Sequence, residues 1–389
     1  MKLGDVAKVN PKAGKLAGDK DLVSFLPLAS VHTDGTTESG ETFSRSEVKK
    51  GHPYFRRGDI LVAKITPSFE NGKIALAVSG MQEGYSSTEF HVVRPMPDRV
   101  DSYYLLAYLR SSKVRVFCSR RMKGSAGQKR VPREVLAGLA LNLPALDVQR
   151  ERAAKFKEIA SLIAANNQQI KKLNQLVKSR FVEMFGDAQV GYKYRLQSLG
   201  SVLSTEPQNG LYKPQSFYVE KGGSPIVRVD AFQKGYIEDY SALKRLTCTS
   251  AELETYELVN NDIVINRVNG SIDRVGKIAW IRGLREPTVF ESNMMRFHID
   301  EKRMDLAFVT TYLNSDDIRQ QIKACARIAN QCSINQTNVA NFVIPAPPLD
   351  LQQQFADFVA QVDKSRFIAQ QQIDKLQTLY DSLAQEYFA

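Results

Sequence analysis

The strongest constraint on this fold is that the chain contains itself twice, because a tandem repeat forces two copies of one architecture. Pro144-Ala145-Leu146-Asp147-Val148-Gln149 returns 203 residues later as Pro347-Pro348-Leu349-Asp350-Leu351-Gln352. The same shift carries Ile170, Leu173 and Leu176 onto Ile373, Leu376 and Leu379, and Asp59-Ile60 onto Asp262-Ile263. Gly72-Lys73-Ile74-Ala75 answers Gly276-Lys277-Ile278-Ala279, and Tyr108-Leu109 answers Tyr312-Leu313, both at 204. Phe90-His91-Val92 is matched to Phe297-His298-Ile299 at 207, and Leu3-Gly4-Asp5-Val6 to Leu199-Gly200-Ser201-Val202. Seven matches in one order at nearly one offset describe a duplication.

Each copy has two unlike parts. The first is rich in short β-type runs such as Ile60–Ile65, 74–78 and Ile263–Val268, punctuated by Gly, Pro, Asn and Asp. One helix is expected to interrupt each, near Asp101–Cys118 and Met304–Ala326, giving an α+β domain. The second part lacks Pro and Gly up to Gly186, and Asp147 and Asp350 stand where an N-cap belongs. Apolar residues then recur at three and four: Ile159, Ile163, a polar Asn166, Ile170, Leu173, Val177, Phe181 and Met184. The second copy has Val362, Ala369, Ile373, Leu376, Tyr380, Leu383 and Tyr387. Such spacing predicts a coiled-coil seam, with each rod about 55 Å long and the other rod as its natural partner. The expected fold is therefore α+β: two pseudo-repeated mixed α/β domains, 1–146 and 188–347, separated by two long antiparallel coiled-coil helices, 147–187 and 348–389. Two reading elements about 34–36 Å apart could then meet one face of a duplex.

Charge points the same way. Lys and Arg number 53 against 42 Asp and Glu, a net +11. Residues 1–200 hold 33 basic and 19 acidic side chains, whereas 201–389 hold 20 and 23, so any electrostatic footprint on a polyanion is strongest in the first half. Within it, Arg110, Lys113, Arg115, Arg120, Arg121, Lys123, Lys129, Arg130 and Arg133 follow one another with no intervening acid. Gly124-Ser125-Ala126-Gly127-Gln128 interrupts them as an exposed loop able to bring N–H groups to phosphates. At the same place the second copy is amide-rich, with Arg327, Asn330 and Gln331. Asn and Gln read adenine edges, although an ordinary polar loop explains these residues equally well. A second candidate loop carries Lys64, Thr66, Ser68, Asn71 and Lys73, and its counterpart carries Arg267, Asn269, Ser271 and Arg274. A plain hairpin loop is the equal alternative there.

No catalytic motif appears. Gly14-Lys15, Gly72-Lys73 and Gly276-Lys277 are followed by Leu, Ile and Ile, not by a phosphate-loop Ser or Thr. Pro347-Pro348 lacks the context of an amino-methyltransferase, and His-Glu-x-x-His and Gly-x-Ser-x-Gly are absent. His91 and His298 read as equivalent core histidines. Cys118, Cys248, Cys325 and Cys332 form no Cys-x-x-Cys pair, so they are expected to be reduced and buried, with no metal site. No run of eighteen apolar residues occurs, and Met1 leads into mixed residues without an apolar signal core, so a cytoplasmic chain away from membranes is expected. The residues fit a recognition protein, or else a coiled-coil adaptor holding two protein ligands.

The arrangement resembles the specificity (HsdS) subunits of type I restriction–modification systems over the whole chain. The resemblance rests on the duplication, on Leu3-Gly4-Asp5-Val6 and Gly58-Asp59-Ile60-Leu61, on both Pro-to-Gln junctions, and on Phe181-Val182-Glu183-Met184-Phe185-Gly186-Asp187 closing the first rod. It implies that each domain reads one half of a bipartite site in double-stranded DNA and that the helix pair sets the unread gap. It implies two modification (methyltransferase) subunits and further restriction subunits as partners. These, and not this chain, would hold AdoMet, ATP and Mg.

Overall fold

The computed structural model describes residues 1–13, 22–38, 40–48, 50–77, 82–125, 128–231, 237 and 239–388. The chain forms two units, one from residues 1–170 and 367–389 and the other from 171–366. The first contains β1 (Ala7–Val9), β2 (Leu22–Leu26), β3 (Glu41–Ser44), β4 (Tyr54–Arg56), β5 (Ile60–Ala63), β6 (Ile74–Leu76), β7 (Glu83–Ser86) and β8 (Phe90–Pro95). Helices α1 (Ser102–Arg110), α2 (Ser112–Ser119) and α3 (Arg133–Ala137) follow, and then the first half of α4 (Leu146–Phe185).

β5 explains the layering. All four of its side chains are buried, and alternation along a strand sends them to opposite faces. Ile60 and Val62 join a core with Tyr104, Leu105 and Tyr108 of α1. Leu61 and Ala63 join Leu26 and Phe55 of the second sheet. The first sheet, ordered β1-β8-β5-β6, is antiparallel throughout; the second, β3-β2-β7-β4, has β2 and β7 parallel.

The second unit has β9 (Leu196–Ser198), β10 (Leu203–Asn209), β11 (Tyr218–Val219), β12 (Ser224–Val227), β13 (Arg245–Leu246), α5 (Ser250–Tyr256) and β14 (Asp262–Asn266). It continues with β15 (Val268–Asn269), β16 (Ile278–Trp280), β17 (Val289–Phe290), β18 (Met294–Ile299), α6 (Leu306–Leu313) and α7 (Asp316–Cys325). Last come β19 (Arg327–Ile328), β20 (Cys332–Ser333), α8 (Gln336–Ala340), β21 (Val343–Pro345) and the start of α9 (Leu349–Phe388). Its sheets β10-β18-β14-β16 and β11-β13-β12-β17 repeat the two-layer plan. Ile263 and Ile265 again face the helix-side core while Val264 faces the other. A small sheet, β15-β20-β19, is added.

The fold class is the expected α+β duplication, with three corrections. The helix predicted near Asp101–Cys118, and likewise the one near Met304–Ala326, is a pair, and the short helices α3, α5 and α8 add to them. Ser111 ends α1 and caps α2, taking the Val114 N–H on its hydroxyl, and Ser315 caps α7 in the same way. Hydroxyl groups compete with the helix backbone, and the chain turns there. The long helices run 40 residues each, about 60 Å at 1.5 Å per residue. They begin at Leu146 and Leu349, so Asp147 and Asp350 lie inside the first turn and not at the N-cap, where they still favour the positive helix end.

The third correction concerns the histidines. Strand register pairs Ile60 with Val93 and Ile263 with Phe297, which makes Arg94 the counterpart of His298, and Met295 the counterpart of His91. Arg94 grips buried Asp59 through two nitrogens, and His298 Nδ1 lies 3.1 Å from the equivalent Asp262. His298 is half-buried on that carboxylate, whereas His91 is a core residue. The two letters coincide; the positions do not.

In the first unit the two long helices run in opposite directions, since Arg152 lies over the Tyr387 ring and Phe156, one turn on, packs on Tyr380 at 4.8 Å. Phe388 packs on Tyr104, Tyr108 and Phe156. In the second unit Phe181 packs on Phe355 of α9 and also on Phe308 of α6. Of the candidate seam residues, Ile159, Ile163, Val177, Val362 and Ala369 are buried; Asn166, Ile170, Leu173, Ile373, Leu376 and Tyr380 are partly exposed. Asn166 donates to the Leu162 carbonyl in its own helix. Among the described residues no helix is long and apolar enough to cross a membrane.

Candidate nucleic-acid interface

Each unit carries two loops side by side at the end of its central strand. In the first, the backbone after β5 is held by its neighbours on both sides: Lys64 N–H donates to Glu89 O, and the Val131 and Thr66 N–H groups close onto Lys64 O and Lys129 O. Lys123 and Arg130 then exchange backbone hydrogen bonds at 2.9 and 2.8 Å, closing a hairpin. Its residues Ala126 and Gly127 lie outside the described residues. Gly124, at φ +127°, belongs there because a Cβ would stand 2.8 Å from Gln128 O.

Arg130 forks onto Glu89 at 2.9 and 2.8 Å. That hydrogen-bonded guanidinium holds the Glu89 carboxyl below its usual range, while burial lowers Lys64 beside it. The run of nine cations without a counter-charge is thus not unopposed, since its acid arrives from 41 residues upstream. Other members are structural as well: Arg110 donates to Ile74 O and Thr33 O, Arg115 to Glu70 O, and Lys113 to Phe388 O. Arg121 stacks on Phe117 with its guanidinium 3.7 Å from the ring centre. Arg120, Lys123, Gln128 and Lys129 are exposed, with no side-chain partner among the described residues. Of the neighbouring loop, Thr66 bonds Glu70 and Lys73 donates to Leu28 O, while Ser68 and Asn71 keep their side chains free of described partners.

The second unit reuses the frame with different side chains. Ile334 N–H donates to Arg267 O as Val131 does to Lys64 O, and Val268 pairs with Ser333 as Ile65 does with Arg130. Arg267 is half-buried, donating to Ser292 O with its Nε buried and unpaired, so part of its guanidinium is turned away from solvent. Asn269 accepts the Ser271 N–H. Arg319 clamps this loop through Ile272 O and Asp273 O, matching Arg115 in the first unit. Ser271, Arg274, Arg327, Asn330 and Gln331 are exposed.

Sequence reasoning missed Glu89, Arg115 and Arg319 as the supports of these loops. It also missed Ile328, 69% exposed beside Arg327. The repeat itself was the signal available for the arginines, since Arg115 and Arg319 are 204 residues apart. All four cysteines are free thiols, but only Cys118 and Cys332 are buried, which corrects the expectation for Cys248 and Cys325. Among the described residues no group of three His, Cys, Asp or Glu side chains could hold a metal ion. The arrangement can donate hydrogen bonds and positive charge to a polyanion from the first unit, and amide and apolar contacts from the second.

Comparison with known proteins gives this a context. The sequence model of the type I restriction modification DNA specificity domain matches residues 1–175 and again 193–378. The EcoAI type I restriction enzyme specificity subunit of Escherichia coli is 38% identical over 168 residues, 42% of this chain and 28% of that protein. The EcoEI specificity subunit of the same organism is 35% identical over 171 residues, 43% of this chain and 28% of that protein. The match therefore spans little more than a quarter of the length of these two relatives. The S subunit of a type I restriction–modification system from M. genitalium aligns over 100% of this chain and 95% of its own, with TM-score 0.49 and 14% identity.

Proposed function

Because the chain belongs to the family of type I restriction modification DNA specificity domains, we propose that it is the sequence-reading subunit of a type I restriction–modification complex. Each unit reads one half of a bipartite site in double-stranded DNA, and the two long helices set the unread gap. The observation that carries this reading is the double family match, one copy on each half. It favours DNA reading over a coiled-coil adaptor.

The chain performs no catalysis in this reading. Two modification subunits dock on the helices and act on adenine, with AdoMet in their own sites; restriction subunits join with ATP and Mg, and the complex works in the cytoplasm. Phe367 and Ile368, exposed on α9, offer apolar surface for such docking. The first unit supplies phosphate contacts through Lys123 and Lys129. Arg130 is a poorer test of those contacts, because Arg130→Ala also releases Glu89. In a complex with the modification subunits, the Lys123→Ala, Lys129→Ala pair should weaken binding to all sequences. It should also make the slope of log affinity against log salt shallower by about 0.9 for each phosphate the two lysines neutralise. An unchanged slope would remove these lysines from the interface.

A further inference from the structure

Strand pairing places Lys123 opposite Arg130 in the first unit and Arg327 opposite Ser333 in the second, and Arg130 and Ser333 are matched through Ile65 and Val268. Lys123 and Arg327 are therefore equivalent cations at the base of equivalent hairpins. The next residue differs in kind. In the first unit it is Gly124, where no Cβ fits. In the second it is Ile328, a four-carbon β-branched side chain 69% exposed at the hairpin's outer edge.

Folding gives no reason for that exposure, since Ile328 belongs to none of the unit's hydrophobic clusters. Its neighbours Asn330 and Gln331 are exposed amides without described partners. An amide can bond adenine N6 and N7 together in the major groove, where the paired thymine presents its C5 methyl. An isoleucine next to two such amides is complementary to the other half of that base pair. The half of the chain that contains it has 20 basic against 23 acidic side chains, so its contacts depend less on phosphate charge.

We propose that the β19–β20 hairpin recognises an A·T base pair in the major groove, with Asn330 or Gln331 on the adenine edge and Ile328 packed on the thymine methyl. This deepens the proposed function and rests on it. The test uses the full chain with its modification subunits and one duplex containing the methylated site, prepared with thymine or with uracil throughout. Uracil removes only the methyl groups. Wild type should bind uracil DNA about fourfold more weakly for a methyl contact of this size. Ile328→Ala should bind both duplexes alike, at the weaker level, and Ile328→Leu should restore most of the difference. Equal wild-type binding to both duplexes, or an identical uracil penalty in Ile328→Ala, overturns the proposal while salt-dependent binding leaves the DNA-reading function standing. Loss of all duplex binding at low salt overturns both.

Discussion

His91 has one protonation state that fits its surroundings. The Asn10 amide, 3.0 Å away, donates to Nδ1, so Nε2 must carry the proton given to the Val131 carbonyl at 2.8 Å. Burial lowers its pKa, the largest cause of the shift, and the ring stays neutral. A base with a depressed folded pKa adds stability above its unfolded value, about 6.5, and that stability is lost as pH falls through and below it. Thermal midpoints of the first unit should therefore drop below about pH 6.5, and His91→Gln should flatten that dependence; parallel profiles would argue against the assignment. Glu89→Gln should speed hydrogen exchange at the Lys123 and Arg130 amides while leaving β5 protected. Equal protection in both proteins would mean the ion pair does not hold the hairpin. The burial of His91 was legible in the sequence; its hydrogen-bond partners were not, and neither was Glu89. A match of letters sets His91 on His298, whereas hydrogen-bond register makes Arg94 the counterpart of His298. Arg130 meets Glu89 only because β8 and the hairpin converge.

At the scale of elements, the sequence announced the two long helices and a few of the strands. The three-and-four spacing marked both long helices, and the Pro-to-Gln junctions marked their starts. The reason the junctions recur is visible only in three dimensions. Gln149 takes the Asp101 N–H on its side-chain oxygen and donates to Arg99 O and Pro144 O; Gln352 takes the Asp305 N–H and donates to Pro347 O. Each glutamine, fully buried, ties the start of a long helix to the cap of α1 or α6. Removing it strands buried backbone groups, so Gln149→Ala or Gln352→Ala should lower unfolding free energy by about 2–3 kcal/mol. Denaturant midpoints measure this, and a loss under about 0.5 kcal/mol, typical of a surface change, would show that water replaces the amide. The broken helices escaped notice because a serine in a helical pattern is ambiguous: it can face solvent, or it can cap.

At the scale of the molecule, the two units are interleaved in sequence, each built on segments of both long helices. Phe388 fills the first unit's core as Phe185, 203 residues earlier, fills the second's. The chain's one tryptophan, Trp280, packs on the second unit's core. Phe388→Ala should thus destabilise the first unit by about 3 kcal/mol, seen by exchange at β5, with the Trp280 fluorescence transition unmoved. Phe185→Ala should do the reverse. Tryptophan transitions displaced equally by both changes would mean that the units melt as one.

The interleaving also sets an order in time. A ribosome makes residues 1–170 first, yet the segment containing Tyr380 and Phe388 that closes their core follows only after residue 366. At 5–20 residues per second the early segment waits roughly 10–40 s. The inner unit, though encoded later, has its last residue sooner, so residues 171–366 can close their core before residues 1–170 close theirs.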